Sequence, residues 1–211
     1  MRSADESTII RIGLVLFVIL LIIIKANPAI SIIILALAFI MDGVDGYLAL
    51  REASRGQISI ADYISYSIGN NKFAKKIKSL KESINKTAKY GPRFDVAADR
   101  ISEYSLWATF TVLGIVPLFL LIIVIIRHSI ADAFLGSKGT SSKMKTGIAR
   151  AIYASNISRG GINVMKFVTF SYLILVYVSH YPIIPGYILV SLLVLFIVLR
   201  GAAEVYEAIE S

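Results

Sequence analysis

A chain of 211 residues, 56% of them hydrophobic and with a mean hydropathy of +0.74, is too short for several domains and too apolar for an ordinary soluble one. Its formal charge of +8 would suggest a nucleic-acid partner in a soluble protein, but the basic residues gather beside apolar runs, where membrane topology accounts for them, so nucleic-acid binding is not expected. No cysteine is present, which removes disulfides and thiolate chemistry.

The first apolar run, Ile9 to Ile24, carries Arg11 inside its start and no small-residue cleavage site before Lys25 and Pro28, so it reads as a retained helix rather than a secretory signal. Asn27 suits the N-cap and Pro28 the first helical position of the next span. Apolar patterning and Pro/Gly punctuation give six transmembrane spans, near 9–25, 29–50, 94–113, 115–135, 161–180 and 183–203, joined by turns at 25–28, 114–117 and 180–186. The fold expected is all-α: one polytopic domain over 1–211. Segments 51–93 and 136–160 are long and basic. Lys25 is the one basic residue in a short turn, so the positive-inside bias sets both termini and both long loops in the cytoplasm of a multi-pass cell-membrane protein. Within 51–93, Phe73, Ile77, Leu80 and Ile84 recur at helical spacing among lysines, which predicts a basic amphipathic helix over 72–89. Its stripe suits either anionic lipid headgroups or the protein itself.

Charge stands where charge is expensive. Asp42 and Asp45 lie near the end of the second span, and Asp95 and Asp99 near the start of the third. Each costs on the order of 3 kcal/mol in a membrane helix unless partnered. Spacings of three and four put each pair on one helix face, and both faces lie at the cytoplasmic edge. Turned together they make a four-carboxylate cluster whose mutual repulsion a hard divalent cation relieves, magnesium, manganese or calcium. Without cysteine, and with His128 and His180 on opposite sides of the membrane, zinc is not expected. Interfacial salt bridges to Arg51, Arg93 and Arg100 are the alternative reading of the acids. Gly46 beside Asp45, and Gly91 four residues before Asp95, leave bare backbone that a flat ligand can approach. Close helix packing in lipid is the other explanation for such small residues.

The segment Asp42-Gly-Val-Asp45-Gly46-Tyr-Leu-Ala49, followed by Gly91-Pro-Arg-Phe-Asp95-Val-Ala-Ala-Asp99, resembles the signature of the CDP-alcohol phosphotransferases. That pattern reads D, two residues, DG, two residues, AR, eight residues, G, three residues, D, three residues, D. Here Leu50 stands where the family has Arg, Arg51 follows one residue late, and the gap before Gly91 runs 39 residues, Glu52 to Tyr90. A longer loop still lets two antiparallel helices meet, because closure cost grows slowly with length.

The resemblance implies transfer of a phosphatidyl or archaetidyl group from a CDP-lipid to an alcohol, with release of CMP, in phospholipid biosynthesis. It implies that Asp42, Asp45, Asp95 and Asp99 hold one or two Mg2+ or Mn2+ ions, and that Asp99 is the general base. Asp42, Gly46, Ala49, Arg51, Gly91 and Asp95 would face the CDP group. Family members often form homodimers. Arg159, Asn163 and Lys166 share a face of the fifth span, with Arg127, Arg150 and Arg200 able to join them; such a cluster suits a phosphorylated polyol, inositol phosphate or glycerol phosphate, better than serine. The same cations would also serve as membrane-edge anchors. The stretch Asp99-Arg100-Ile-Ser-Glu103 is more similar to the branch that makes phosphatidylinositol phosphate or archaetidylinositol phosphate. Two rival classes share the acidic clusters: an intramembrane prenyltransferase, which releases pyrophosphate, and a divalent-cation transporter, whose acids sit nearer the midplane.

Overall fold

The computed structural model describes residues 3–67, 77, 79, 80, 91–138 and 156–210, and all the extended elements among them are helices. These are α1 (Ser3–Ile23), α2 (Pro28–Ala53), α3 (Ile60–Ser67), α4 (Gly91–Val112), α5 (Leu118–Lys138), α6 (Asn156–Ser179) and α7 (Ile183–Glu210). Among the described residues four stretches, Asp5–Ile23, Pro28–Ala53, Gly160–Ser179 and Ile183–Tyr206, are long and apolar enough to cross a membrane. Their large aliphatic side chains stand in the open, Ile33 at 59% and Leu195 at 56% exposure, as lipid contact requires and water does not favour. The chain divides into two compact units, Met1–Ser105 and Leu106–Ser211.

In the first unit α1 ends in a Schellman motif. Lys25 takes a left-handed φ of 50° and donates its N–H to the Ile22 carbonyl (3.0 Å), and the Ala26 N–H reaches the Leu21 carbonyl (2.9 Å). A non-glycine residue in that conformation costs roughly 1 kcal/mol, offset in part by a cation at the negative end of the helix dipole. Asn27 then caps α2, its side-chain oxygen accepting from the Ala29 N–H at 2.9 Å, with Pro28 in the first turn. The chain therefore reverses in four residues, and Val15, Val18 and Ile22 on α1 and Leu35 and Ala38 on α2 are buried.

A second left-handed pair, Arg55 (φ 52°) and Gly56 (φ 84°), stops α2. Ser59 and Asp62 start α3 as a reciprocal capping box, Asp62 N–H to Ser59 Oγ at 3.1 Å and Ser59 N–H to Asp62 Oδ2 at 3.2 Å. Leu50, Ile58 and Ile77 form a small buried cluster, with Tyr47, Tyr63, Tyr66 and Leu80 packed on it. Two members of the expected amphipathic stripe, Ile77 and Leu80, thus pack on the protein itself; Phe73, Ile84 and most of 72–89 lie outside the described residues.

In the second unit Trp107, Phe110 and Phe170 are fully buried, with Phe170 edge-on to Trp107 (5.5 Å between centroids) and stacked on Phe110 (6.1 Å). α6 and α7 are joined by residues 180–182 alone, a shorter turn than the 180–186 expected. Pro185 and Gly186 fall in the first turn of α7, where a missing N–H costs no intrahelical bond. Leu173 and Tyr172 pack beside Gly186, where a Cβ would lie 3.4 and 3.5 Å from their side chains, in ordinary van der Waals contact.

Candidate metal and active site

The polar centre lies wholly within the first unit. Thr8 Oγ1 donates to Asp45 Oδ2 at 3.1 Å, and one turn on, the Arg11 guanidinium donates from Nη1 to Asp42 Oδ1. Three residues forward on α1 thus meet three residues back on α2, which is what an antiparallel pair does with side chains at i and i+3. α4 adds the other two acids. The same Nη1 reaches Asp99 Oδ1 at 2.6 Å, Nη2 reaches Asp95 Oδ1 at 3.1 Å, and Nε stands 3.8 Å from Asp45 Oδ2. One guanidinium touches all four carboxylates.

Burial is graded across the cluster. The side chains of Arg11 and Asp45 are 5% and 6% exposed, Asp42 29%, and Asp99 and Asp95 45% and 50%. A polar ligand therefore meets the α4 acids first, with Asp45 at the floor. Carboxylate oxygens of Asp42, Asp95 and Asp99 lie within 4.8 Å of one another. Oxygens on opposite sides of a magnesium or calcium ion stand roughly 4–5 Å apart, so the three can share one hard cation. Asp45 Oδ1 and Arg11 Nε are buried without hydrogen-bond partners. An all-oxygen donor set with one buried oxygen still unmet fits a divalent cation, and the guanidinium alone does not complete the site.

The four aspartates expected from spacing do converge. The cation at their centre is Arg11; of the arginines the salt-bridge reading named, Arg51 is exposed in the last turn of α2, Arg100 lies 3.9 Å from Glu103, and the Arg93 side chain is outside the described residues. Arg11 and Thr8 were not anticipated as site residues. The signal was present in Arg11 itself, a charge within an apolar span that needs partners as much as the acids do. Counting back from the Lys25–Pro28 turn sets it opposite Asp42.

Gly46 lies one residue beyond Asp45, and a Cβ on it would stand 2.7 Å from the Tyr63 hydroxyl, so α3 sits directly over this bare backbone. Ala49 is half-buried one turn on, and Gly91 is the first residue of α4. In the second unit Asn163 and Lys166 are half-buried on α6; the Arg159 side chain and all of Arg150 fall outside the described residues. Arg127 is engaged elsewhere, donating from Nη2 to Glu204 at 2.8 Å and from Nε to the Ile197 carbonyl at 2.9 Å.

Fold and site together define a class: an α-helical protein with membrane-length apolar helices and an oxygen-lined centre suited to a divalent cation. Residues 1–57 match the model of the CDP-alcohol phosphatidyltransferase family, so this stretch is similar to a family whose members transfer substituted phosphate groups. Comparisons with curated proteins and with solved structures give no match. The matched stretch holds Thr8, Arg11, Asp42, Asp45 and Gly46 and stops short of Asp95 and Asp99, which the fold brings to the same centre.

Proposed function

We propose that the chain transfers a phosphatidyl or archaetidyl group from a CDP-lipid to the hydroxyl of an alcohol, releasing CMP, at the cytoplasmic face of a cell membrane that it crosses six times with both termini inside. The observation that carries this reading is the convergence of two acids from the family-matched segment with two from α4 on one centre.

In this reading Asp42, Asp45 and Asp95 hold one or two Mg2+ or Mn2+ ions, with Asp99 close enough to share them. Such ions supply a clamp on the CDP diphosphate and offset charge gathering on phosphorus. The rest falls to the protein. Gly46, Ala49 and Gly91 leave backbone open to the nucleotide, Arg51 stands at the end of the same helix, and Asp99 accepts the proton of the acceptor hydroxyl. The acceptor oxygen forms a bond to the lipid-side phosphorus, the phosphorus–oxygen bond to CMP breaks, and CMP leaves with the electron pair. Half-exposed Asp99 is reachable by a soluble acceptor, while lipid tails enter sideways between helices.

The acceptor we propose is a phosphorylated polyol, inositol phosphate or glycerol phosphate, held by Asn163 and Lys166 together with Arg159 and Arg150. Arg127, tied to Glu204, contributes only by exchanging that partner. Supplying purified protein with labelled CDP-diacylglycerol or CDP-archaeol, Mg2+ or Mn2+, and a panel of inositol phosphate, glycerol phosphate and serine tests it. CMP release with a phosphorylated polyol is expected, and Lys166→Ala should raise acceptor KM several-fold more than donor KM. Turnover with serine alone would remove the acceptor assignment, and pyrophosphate in place of CMP would remove the reaction.

A further inference from the structure

Arg11 is a buried cation held among anions. It is 4% exposed, contacts four carboxylates from two other helices, and leaves its Nε without a hydrogen-bond partner. At this centre four carboxylates face one guanidinium in a site partly closed to water. Without Arg11 the four acids would repel one another and drive α2 and α4 apart. With it they are gathered, but incompletely, since Asp45 Oδ1 remains unmet. The oxygens the guanidinium engages, on Asp42, Asp95 and Asp99, belong to the three residues whose carboxylates lie within 4.8 Å of one another, the spread a single hard cation spans. Arg11 and such a cation therefore compete for the same three carboxylates.

We propose that Arg11 is a positioning residue: an internal counter-ion that gathers the four aspartates before a divalent cation arrives and then yields the Asp42 and Asp99 oxygens to it. This rests on the reading of the cluster as a divalent-cation site. Two consequences follow from competition for the same oxygens. Removing the guanidinium raises affinity for the cation, because the competitor is gone and the site is more negative. It also weakens the fold when no cation is bound, because the acids then repel one another without the guanidinium between them. A guanidinium fixed permanently as a structural brace would give the opposite sign, since its loss would scatter the ligands and weaken cation binding.

The test is Mn2+ binding to the full chain in detergent, followed by electron paramagnetic resonance, with no CDP-lipid present. Arg11→Gln should bind Mn2+ at least about tenfold more tightly than the parent chain. Arg11→Lys, which keeps the charge but loses the fork, should stay within about threefold. Thermal unfolding should show Arg11→Gln less stable than the parent in chelator, with the gap closing at saturating Mn2+. Equal or weaker Mn2+ binding by Arg11→Gln overturns the proposal. If that variant does not fold, the parent chain labelled with 15N-arginine serves instead: the Nε resonance missing from Arg11→Lys should shift as Mg2+ is added, and a resonance that stays fixed while Mg2+ binds overturns it. A parent chain that binds neither ion sinks the cation-site reading and this proposal with it, whereas parent binding unaltered in Arg11→Gln sinks the proposal alone.

Discussion

Thr8→Val is the sharpest probe of how the floor of the polar centre is held. The substitution keeps the shape of the side chain and deletes the hydroxyl that donates to Asp45 Oδ2 at 3.1 Å. Thr8 is 3% exposed and Asp45 5%, so water does not replace the lost donor. Asp45 Oδ1 has no hydrogen-bond partner to begin with, which leaves the carboxylate with the Arg11 contact at 3.8 Å and no close donor. A hydrogen bond to a charged group contributes about 1.5–3 kcal/mol, and its removal from a buried site falls in the upper part of that range. For a chain of this length 2 kcal/mol corresponds to a fall in Tm of about 4–8 °C. Thermal unfolding of the detergent-solubilised protein in chelator, followed by circular dichroism at the helical band, reads it directly. Thr8→Ser should recover most of the loss. A Thr8→Val protein melting within about 1 °C of the parent would show that Asp45 draws no stability from the Thr8 hydroxyl, and would refute that hydrogen bond as a support of the floor.

Asp99→Asn should lower CMP release by at least about a hundredfold, since general base catalysis contributes that much, while leaving the helical spectrum intact because the amide oxygen still accepts from Arg11; near-normal release would remove Asp99 from its role. Gly46→Ala places a methyl group 2.7 Å from the Tyr63 hydroxyl, so donor KM should rise several-fold, and Gly46→Ala combined with Tyr63→Phe should recover part of it. Failure of the pair to differ in donor KM would show that Tyr63 does not stand over the nucleotide path. Gly201→Ala would set a Cβ 2.5 Å from Arg127 Nε, and the crowding should cost about 1–3 kcal/mol in thermal or denaturant unfolding; an unchanged midpoint would mean that Arg127 does not lie against that backbone.

Much of this was legible along the chain. Asn27 and Pro28 mark the start of α2, and the spacing of Asp42, Asp45, Asp95 and Asp99 marks which faces turn together, because both are local rules of helix geometry. The role of Arg11 was not, because it depends on the register between α1 and α2, which a four-residue turn sets and no single helix reveals. That turn itself uses Lys25 in a left-handed conformation, where glycine would have been the recognisable sign. α3 went unread for a different reason: eight residues give too little periodicity, although the Ser59–Asp62 spacing is the mark of a capping box. Arg127 was grouped with the acceptor cations because Glu204 is far away in sequence, and only the packing of α5 on α7 pairs them.

The tight reversal between α1 and α2 also bears on biogenesis. A nascent chain offers these two helices to the bilayer well before α4 has been synthesised, and on insertion scales one arginine and two aspartates would each oppose entry by about 3 kcal/mol if they entered singly. Entering as a hairpin that already held the folded chain's contacts of Arg11 with Asp42 and Asp45, they would carry one net negative charge in place of three separate charges. The lone arginine of the first segment is thus a passport for the acids of the second, and α4 adds its two acids to a pair already formed.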